Sequence, residues 1–96
     1  HAVPVLPGAW EAADACLYTA AGQRNRNHTG PFVRFEKVPF PMEEILFDPQ
    51  TSGGLLMAVD PADADALLAE LKGTVPSAQR VGVMCRYEGG ARIVLH

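Results

Sequence analysis

The residues whose side chains could best take part in chemistry lie together in the middle of the chain. Residues 48–54 read Asp-Pro-Gln-Thr-Ser-Gly-Gly, and the apolar run Leu-Leu-Met-Ala-Val follows directly. Two hydroxyls, an amide and a carboxylate stand beside two residues without side chains, which leaves backbone N–H groups open to an approaching anion. The segment lacks the lysine and the spacing of a Walker loop, and it lacks the Gly-x-Gly-x-x-Gly pattern of dinucleotide folds. These residue types are compatible with a loop that faces phosphate.

The same segment also has a purely structural interpretation. The Asp-Pro pair favours a turn, the hydroxyl of Thr51 or Ser52 can bond to local backbone, and Gly53 and Gly54 can adopt conformations closed to other residues. Glycine-rich turns commonly lead into strands. Composition and spacing alone leave both interpretations open.

The cysteines and histidines give no sign of a catalytic or metal centre. Cys16 and Cys85 lie far apart without a Cys-x-x-Cys motif or a nearby histidine. We predict that both are buried apolar thiols, Cys16 on a helix stripe and Cys85 on a strand face, where a reactive thiolate is not expected. His28 has no second ligand nearby. We therefore expect no catalytic residue and no metal ligand in this chain.

Composition limits the possible partners. The 96 residues are 48% hydrophobic, and their formal net charge is −3 with scattered basic residues. A chain without a basic patch is not expected to bind nucleic acid. No apolar run is long enough to cross a bilayer and the first residues do not resemble a signal peptide, so we expect a soluble, cytoplasmic protein without membrane contact. The start without Met suggests a fragment or a processed product.

Periodicity and capping signals predict alternating helices and strands. Apolar residues recur every three or four positions in the predicted helices, and a continuous apolar run is typical of a central strand covered on both faces. Asp60 and Pro61 form a strong helix start, and Gly73 is expected to supply a left-handed exit. The predicted elements are a helix at 9–21, a polar loop at 23–31, a strand at 32–36, a short helix at 42–47, a strand at 54–59, a helix at 61–72 and a hairpin at 80–95. The fold class is α/β or α+β, with helices layered on a mixed β-sheet.

One long stretch of the sequence resembles a known family. Residues 46–59, Leu-Phe-Asp-Pro-Gln-Thr-Ser-Gly-Gly-Leu-Leu-Met-Ala-Val, closely resemble the signature near the C-terminus of selenophosphate synthetase, also called selenide, water dikinase. Val-Leu-Pro-Gly-Ala at residues 5–9, Arg-Asn-Arg at 24–26 with Gly30 downstream, and the closing strand from Val81 add to the likeness. The resemblance spans essentially the whole chain.

The resemblance implies a part of a larger enzyme. The family resembles a two-domain, usually homodimeric phosphotransferase with paired acceptors, of the aminoimidazole ribonucleotide synthetase superfamily. It uses ATP, Mg²⁺, water and selenide to form selenophosphate, AMP and phosphate. Its reactive Cys or selenocysteine, the adjacent Lys and the Mg²⁺-binding Asp residues belong to upstream segments that no position here matches.

Residues 1–96 are accordingly expected to form a single partial domain, the later part of the C-terminal domain. By that resemblance the fragment is inactive and binds no cofactor alone, whereas the parent enzyme uses ATP and Mg²⁺. Its expected partners are the missing N-terminal ATP-binding domain and a second copy of the chain, because uncovered sheet edges and apolar surface favour self-association.

The resemblance also nominates site residues. The candidates for the phosphate side of the interdomain cleft are Asp48, Gln50, Thr51, Ser52, Gly53 and Gly54. Arg24 and Asn25 are weaker candidates, and Arg24 and Arg26 could equally be solvated surface charges.

Two alternatives to a selenophosphate synthetase fragment remain. One is a non-catalytic binding or assembly module, in which the glycine loop is structural. The other is a different member of the same ATP-binding superfamily, such as a hydrogenase maturation factor, a thiamine-phosphate kinase or a purine-pathway synthetase. The complete Asp-Pro-Gln-Thr-Ser-Gly-Gly string argues against the second, because the equivalent segments of those proteins generally lack it.

Overall fold

A computed structural model describes residues 2–96. Its elements, in chain order, are α1 (Ala9–Asp14), α2 (Ala20–Thr29), a 3₁₀ turn (Gly30–Phe32), β1 (Val33–Phe35), α3 (Phe40–Phe47), α4 (Pro61–Lys72) and β2 (Ile93–Leu95). Helices accompany a small sheet, so the mixed α and β class is confirmed at that level. The superfamily assignment and the single partial domain stay predictions.

The chain divides into two compact units. The helical unit comprises Val5–Gly53 and Tyr87–His96, and the second unit comprises Gly54–Arg86 with the N-terminal residues through Pro4.

The helical unit contains a two-stranded parallel sheet. β1 pairs with β2 in the register Val33↔Ile93, Arg34↔Val94 and Phe35↔Leu95. The predicted strand at 32–36 is therefore confirmed, but the predicted hairpin at 80–95 is wrong. Gly89 and Gly90 do have positive φ, at 101° and 82°. Residues 80–90 are nevertheless exposed and form no strand, whereas Leu95 is half-buried beside β1.

Two helices replace the single predicted one at the start of this unit. α1 ends at Asp14, Cys16 adopts a left-handed φ of 61°, and α2 begins after Thr19. The Thr19 side chain accepts a hydrogen bond from the Gly22 N–H at 2.9 Å, which caps the new helix. The helix predicted at 9–21 is thus too long, and the loop predicted at 23–31 is wrong. Good helix formers after the cap, including Gln23, allow a polar segment to stay helical.

The core of the helical unit is small. Its buried apolar residues are Ala13 at 5% exposure and Phe47 at 8%, and Glu44 is buried among them at 5%. Phe47 packs edge to face against Phe35, with ring centroids 5.6 Å apart. α3 (Phe40–Phe47) supplies Glu44 and Phe47, in agreement with the short helix predicted at 42–47. This packing fixes the C-terminal end of α3, from which the candidate loop leaves.

The second unit contains α4, whose limits agree with the prediction. Asp60 Oδ1 accepts a hydrogen bond from the Ala62 N–H at 2.8 Å, and Pro61 occupies the first turn. Gly73, at the C-terminal end of α4, has a right-handed φ of −66°. The prediction that it ends the helix in a left-handed conformation is therefore wrong. The Gly73 N–H bonds to the Glu70 carbonyl at 3.2 Å, which completes the last turn in right-handed geometry.

The apolar run before α4 does not form the predicted strand at 54–59. Leu55 and Leu56 are 88% and 85% exposed, and no residue of Gly54–Arg86 is buried. The only ladder within residues 2–96 is β1 with β2, so this run has no neighbouring strand. A continuous apolar strand is typical of a sheet interior, where neighbouring strands pair with it and both faces are covered. Within the same residues, no helix is long and apolar enough to cross a membrane.

Candidate functional site

The candidate loop lines a cleft in the helical unit. The cleft has a volume of about 460 Å³, and α1, the beginning of α2 and the end of α3 form its other walls. The predicted site residues Asp48, Gln50, Thr51, Ser52 and Gly53 all line it. The remaining predicted residues lie outside the lining: Gly54 is exposed in the second unit, and Arg24 and Asn25 lie on α2.

A tight turn shapes the loop. The Gly53 N–H bonds to the Gln50 carbonyl at 3.3 Å, and Ser52 adopts the left-handed φ of 55°. The unusual backbone conformation therefore falls on a serine and not on Gly53 or Gly54, contrary to the sequence-based expectation. Gly53 relieves a close contact instead. A Cβ there would lie 3.2 Å from the Gln50 Cβ and 3.3 Å from its carbonyl oxygen.

The loop begins at a carboxylate that is held by another helix. The Thr19 hydroxyl donates to Asp48 Oδ1 at 2.6 Å and accepts from the Gly22 N–H at 2.9 Å. One hydroxyl thus links the cap of α2 to the first residue of the loop. Sequence reasoning missed Thr19 and Gly22 as contributors to the site. The available signal was a threonine immediately before helix-forming residues, which is typical of an N-cap.

Asn25 supports the loop from outside the cleft. Its Nδ2 donates to the carbonyl of Phe47, the last residue of α3, at 2.9 Å. This bond satisfies a carbonyl at a helix end that has no intrahelical partner. Arg24 on the same helix is exposed. The structure therefore gives Asn25 a packing role and brings neither residue to the cleft.

Arg26 is not a solvated surface charge. Its guanidinium lies 3.0 Å from Glu43 Oε2 and 2.6 Å from Glu44 Oε1, and its side chain is 25% exposed. It also stacks 4.9 Å from the Phe47 ring centroid and 5.2 Å from that of Phe40. The surface interpretation is wrong for Arg26, which ties α2 to α3.

The charges of the cleft lining are all acidic. Glu44 and Asp48 line it, and no Lys, Arg or His does so among the described residues. A hydrogen bond with the Cys16 side chain raises the pKa of Tyr18 to about 12, and desolvation makes a smaller contribution. This lining residue therefore stays a neutral phenol well above neutral pH. A bound anion would find hydroxyl and amide donors here but no cation.

The cysteines lie in other places than the sequence suggested. Both Cys16 and Cys85 are exposed, so the prediction of buried thiols is wrong. Cys16 lies in the turn after α1 and not on a helix stripe, and Cys85 lies in an irregular segment and not on a strand. Within residues 2–96, no group of three or more His, Cys, Asp or Glu side chains could hold a metal ion.

Comparison with curated proteins relates the chain to one group of enzymes. It is 58% identical over 81 residues to the selenide, water dikinase of Agathobacter rectalis, a match that covers 83% of the chain and 24% of that relative. The matches lie in the C-terminal part of the relatives. The chain is a relative of the selenide, water dikinases. The predicted resemblance is thereby confirmed.

Other selenide, water dikinases show the same pattern. A Desulfitobacterium hafniense relative is 44% identical over 81 residues, with 84% of the chain and 24% of the relative covered. The Nitratidesulfovibrio vulgaris relative is 38% identical over 96 residues, with coverages of 98% and 27%. The chain thus spans about a quarter of the length of these relatives. No family model and no solved structure gives a significant match.

Proposed function

We propose that the chain is the C-terminal part of an ATP-dependent selenophosphate synthetase. This phosphotransferase would convert selenide, ATP and water into selenophosphate, AMP and phosphate. The observation that carries the proposal is the 58% identity to a selenide, water dikinase over 83% of the chain. Because the chain corresponds to about a quarter of that relative, the full reaction is assigned to the longer protein that contains it.

The chain alone is proposed to be inactive. Phosphoryl transfer needs phosphates bridged by metal ions and a positioned nucleophile. The residues of this chain do not fit a Mg²⁺ site, since no acidic cluster with metal-binding geometry occurs within residues 2–96. We assign ATP, Mg²⁺ and the reactive Cys or selenocysteine to segments that precede the matched region.

The loop at residues 48–53 is proposed to form one wall of the substrate cleft. Its position on the cleft supports this role. The acidic lining limits what the loop contributes, because the charge of a phosphate would have to be balanced by cations from outside this lining. The Gly53 amide is already engaged by Gln50. We therefore propose that Thr51 and Ser52 contribute hydroxyl hydrogen bonds and that Asp48 anchors the wall.

Exposed apolar surface supports a partner. In the second unit, Leu55 is 88% exposed, Leu56 is 85% exposed and Met84 is 86% exposed. We propose that the N-terminal ATP-binding domain covers part of this surface, within a homodimer of the full-length protein. The same surface would let the isolated chain self-associate. A cytoplasmic location stays a prediction from the sequence.

The proposal is tested on the full-length protein. Its upstream sequence should contain a glycine-rich segment with Cys or selenocysteine and Lys a few residues apart, and it should form AMP from ATP only when selenide is present. Thr51→Val with Ser52→Ala should lower kcat/KM for ATP by roughly tenfold, the loss expected for a hydrogen bond to a charged group.

The matched control is Thr74→Val, which removes an exposed hydroxyl in the second unit that bonds only to the Leu71 carbonyl, at 3.3 Å. It should leave kcat/KM unchanged. Equal rates for the double variant and the control would refute the assigned role of the loop. So would a complex with an ATP analogue in which residues 48–53 lie remote from every phosphate.

A further inference from the structure

Two residues of α2 and its N-cap, Thr19, contact the junction between α3 and the candidate loop. Thr19, Gly22 and Asn25 are spaced three positions apart, which places them on neighbouring turns of one helix face. Their contacts fall on two consecutive residues, Phe47 and Asp48. Phe47 ends α3 and Asp48 begins the loop, so these contacts meet at the point where the loop leaves its helix.

Thr19 connects the start of α2 to the first residue of the loop through one oxygen atom. Its O–H donates to Asp48 Oδ1 at 2.6 Å, and its lone pair accepts the Gly22 N–H at 2.9 Å. A hydroxyl has one donor and two acceptor sites, so the single donor is committed to the carboxylate. The short distance is typical of a bond to a charged acceptor. The orientation of Asp48 is thus set by the start of α2.

Gly22 and Asn25 complete the contact. A Cβ at Gly22 would lie 3.3 Å from Thr19 Oγ1 and 3.6 Å from the Asp48 Cα, so a glycine lets the backbones approach. The Asn25 amide holds the Phe47 carbonyl at 2.9 Å. The remainder of the loop has a single long bond of 3.3 Å, from Gly53 to Gln50, and so depends on the anchoring of its first residue.

We infer that Thr19, Gly22 and Asn25 form a clamp that positions the loop of residues 48–53 against the cleft, with Thr19 as the decisive positioning residue. We name these three residues the α2 clamp. The inference deepens the proposed function and rests on it for its effect on the reaction. Its structural half, control of the loop by Thr19, is independent of the reaction.

The test compares four forms of the full-length protein: unsubstituted, Thr19→Val, Thr19→Ser and Thr74→Val. Valine preserves the shape of threonine but has no hydroxyl, and serine restores the hydroxyl. Hydrogen exchange measured by mass spectrometry reports on the hydrogen-bonded amides of the loop, Asp48 to the Ile45 carbonyl at 3.2 Å and Gly53 to the Gln50 carbonyl at 3.3 Å, and the amides of α4 serve as an internal reference. Selenide-dependent AMP formation at varied ATP concentration is measured on the same samples.

Thr19→Val is expected to speed exchange in the loop by about tenfold while α4 stays unchanged, because one charge-assisted hydrogen bond is lost. It should lower kcat/KM for ATP by a similar factor. Thr19→Ser should restore both values, and Thr74→Val should match the unsubstituted protein. A substitution that merely destabilised the fold would speed exchange in α4 as well.

The variant Asp48→Ala distinguishes the loss of the helix cap from the loss of the link to Asp48. It removes the acceptor of the Thr19 hydroxyl but leaves the hydrogen bond between Thr19 and Gly22. In that background, Thr19→Val should produce little further change in loop exchange. Unchanged loop exchange in Thr19→Val overturns the clamp, and faster exchange with unchanged kcat/KM overturns its effect on the reaction. Absence of selenide-dependent AMP formation in the unsubstituted protein refutes the proposed function instead, and the exchange data still decide the clamp.

Discussion

Replacement of Arg26 by methionine should destabilise the helical unit strongly. The guanidinium pairs with Glu44, whose side chain is 4% exposed, at 2.6 Å and with Glu43 at 3.0 Å. Methionine retains apolar contact with Phe47 but leaves the Glu44 carboxylate buried without its cation. Loss of one partner from a buried pair costs about 3–5 kcal/mol. Because the Arg26 side chain is 25% exposed, solvent screens the pair, and we expect about 2–3 kcal/mol.

Urea unfolding of the chain provides the assay. The single tryptophan, Trp10, lies in α1 of the same unit, so its fluorescence reports on this region. Arg24→Met on the exposed side of α2 is the matched control and should change the free energy of unfolding by less than about 0.5 kcal/mol. Combining Arg26→Met with Glu44→Gln should recover more than half of the loss, since the unpaired charge that remains is that of Glu43, whose side chain is 18% exposed, and no longer that of the buried Glu44. Equal midpoints for Arg26→Met and Arg24→Met would refute the reasoning.

Three further predictions concern the loop, the phenol and the exposed surface. Gly53→Ala should cost about 1 kcal/mol in the same urea experiment, because its Cβ would lie 3.2 Å from the Gln50 Cβ; an unshifted midpoint would contradict this. In a Tyr87→Phe chain, absorbance titration of Tyr18 should show ionisation near pH 12 and not near the ordinary 10.0. Since folding raises the pKa of Tyr18, the stabilisation that this phenol contributes is complete below pH 10 and is lost as the pH rises to about 12. A titration midpoint at pH 10 would contradict this prediction. In analytical ultracentrifugation, the average mass should rise with concentration and Leu55→Asp should suppress the rise; a monomer at every concentration would disprove self-association.

The elements predicted correctly are those with local signals. The Asp60 cap and Pro61 in the first turn act within a few residues, and α4 extends from Pro61 to Lys72 as expected. The same holds for α3 after Pro39 and for the short strand β1. Such signals depend on the chain's immediate neighbours, so they can be interpreted without knowledge of the fold.

The elements predicted wrongly depend on distant partners. Val33 pairs with Ile93, 60 positions further along, and local periodicity cannot distinguish this pairing from a hairpin. The apolar residues at 54–59 match a buried strand in type, but Leu55 and Leu56 are 88% and 85% exposed and no strand within residues 2–96 pairs with this run. A run of apolar residues indicates that a segment favours burial, but it does not indicate whether the chain supplies the elements that would bury it.

The candidate site was predictable in its residue types and not in its supports. Hydroxyls and glycines identified residues 48–53 as a loop, and the structure places that loop on a cleft. The partner of Asp48 is Thr19, 29 residues earlier, and the two meet only because α2 packs on α3. The left-handed conformation at Ser52 was likewise hidden, because serine rarely adopts it without a turn that imposes it.

The most direct test of the central claim is phosphorus NMR of a mixture of ATP, Mg²⁺ and selenide. With the full-length protein, we predict a resonance for a phosphorus–selenium bond together with AMP and phosphate in equal amounts, and with the isolated chain we predict unchanged ATP. Product formation by the isolated chain, or AMP without a phosphorus–selenium signal from the full-length protein, would contradict the account.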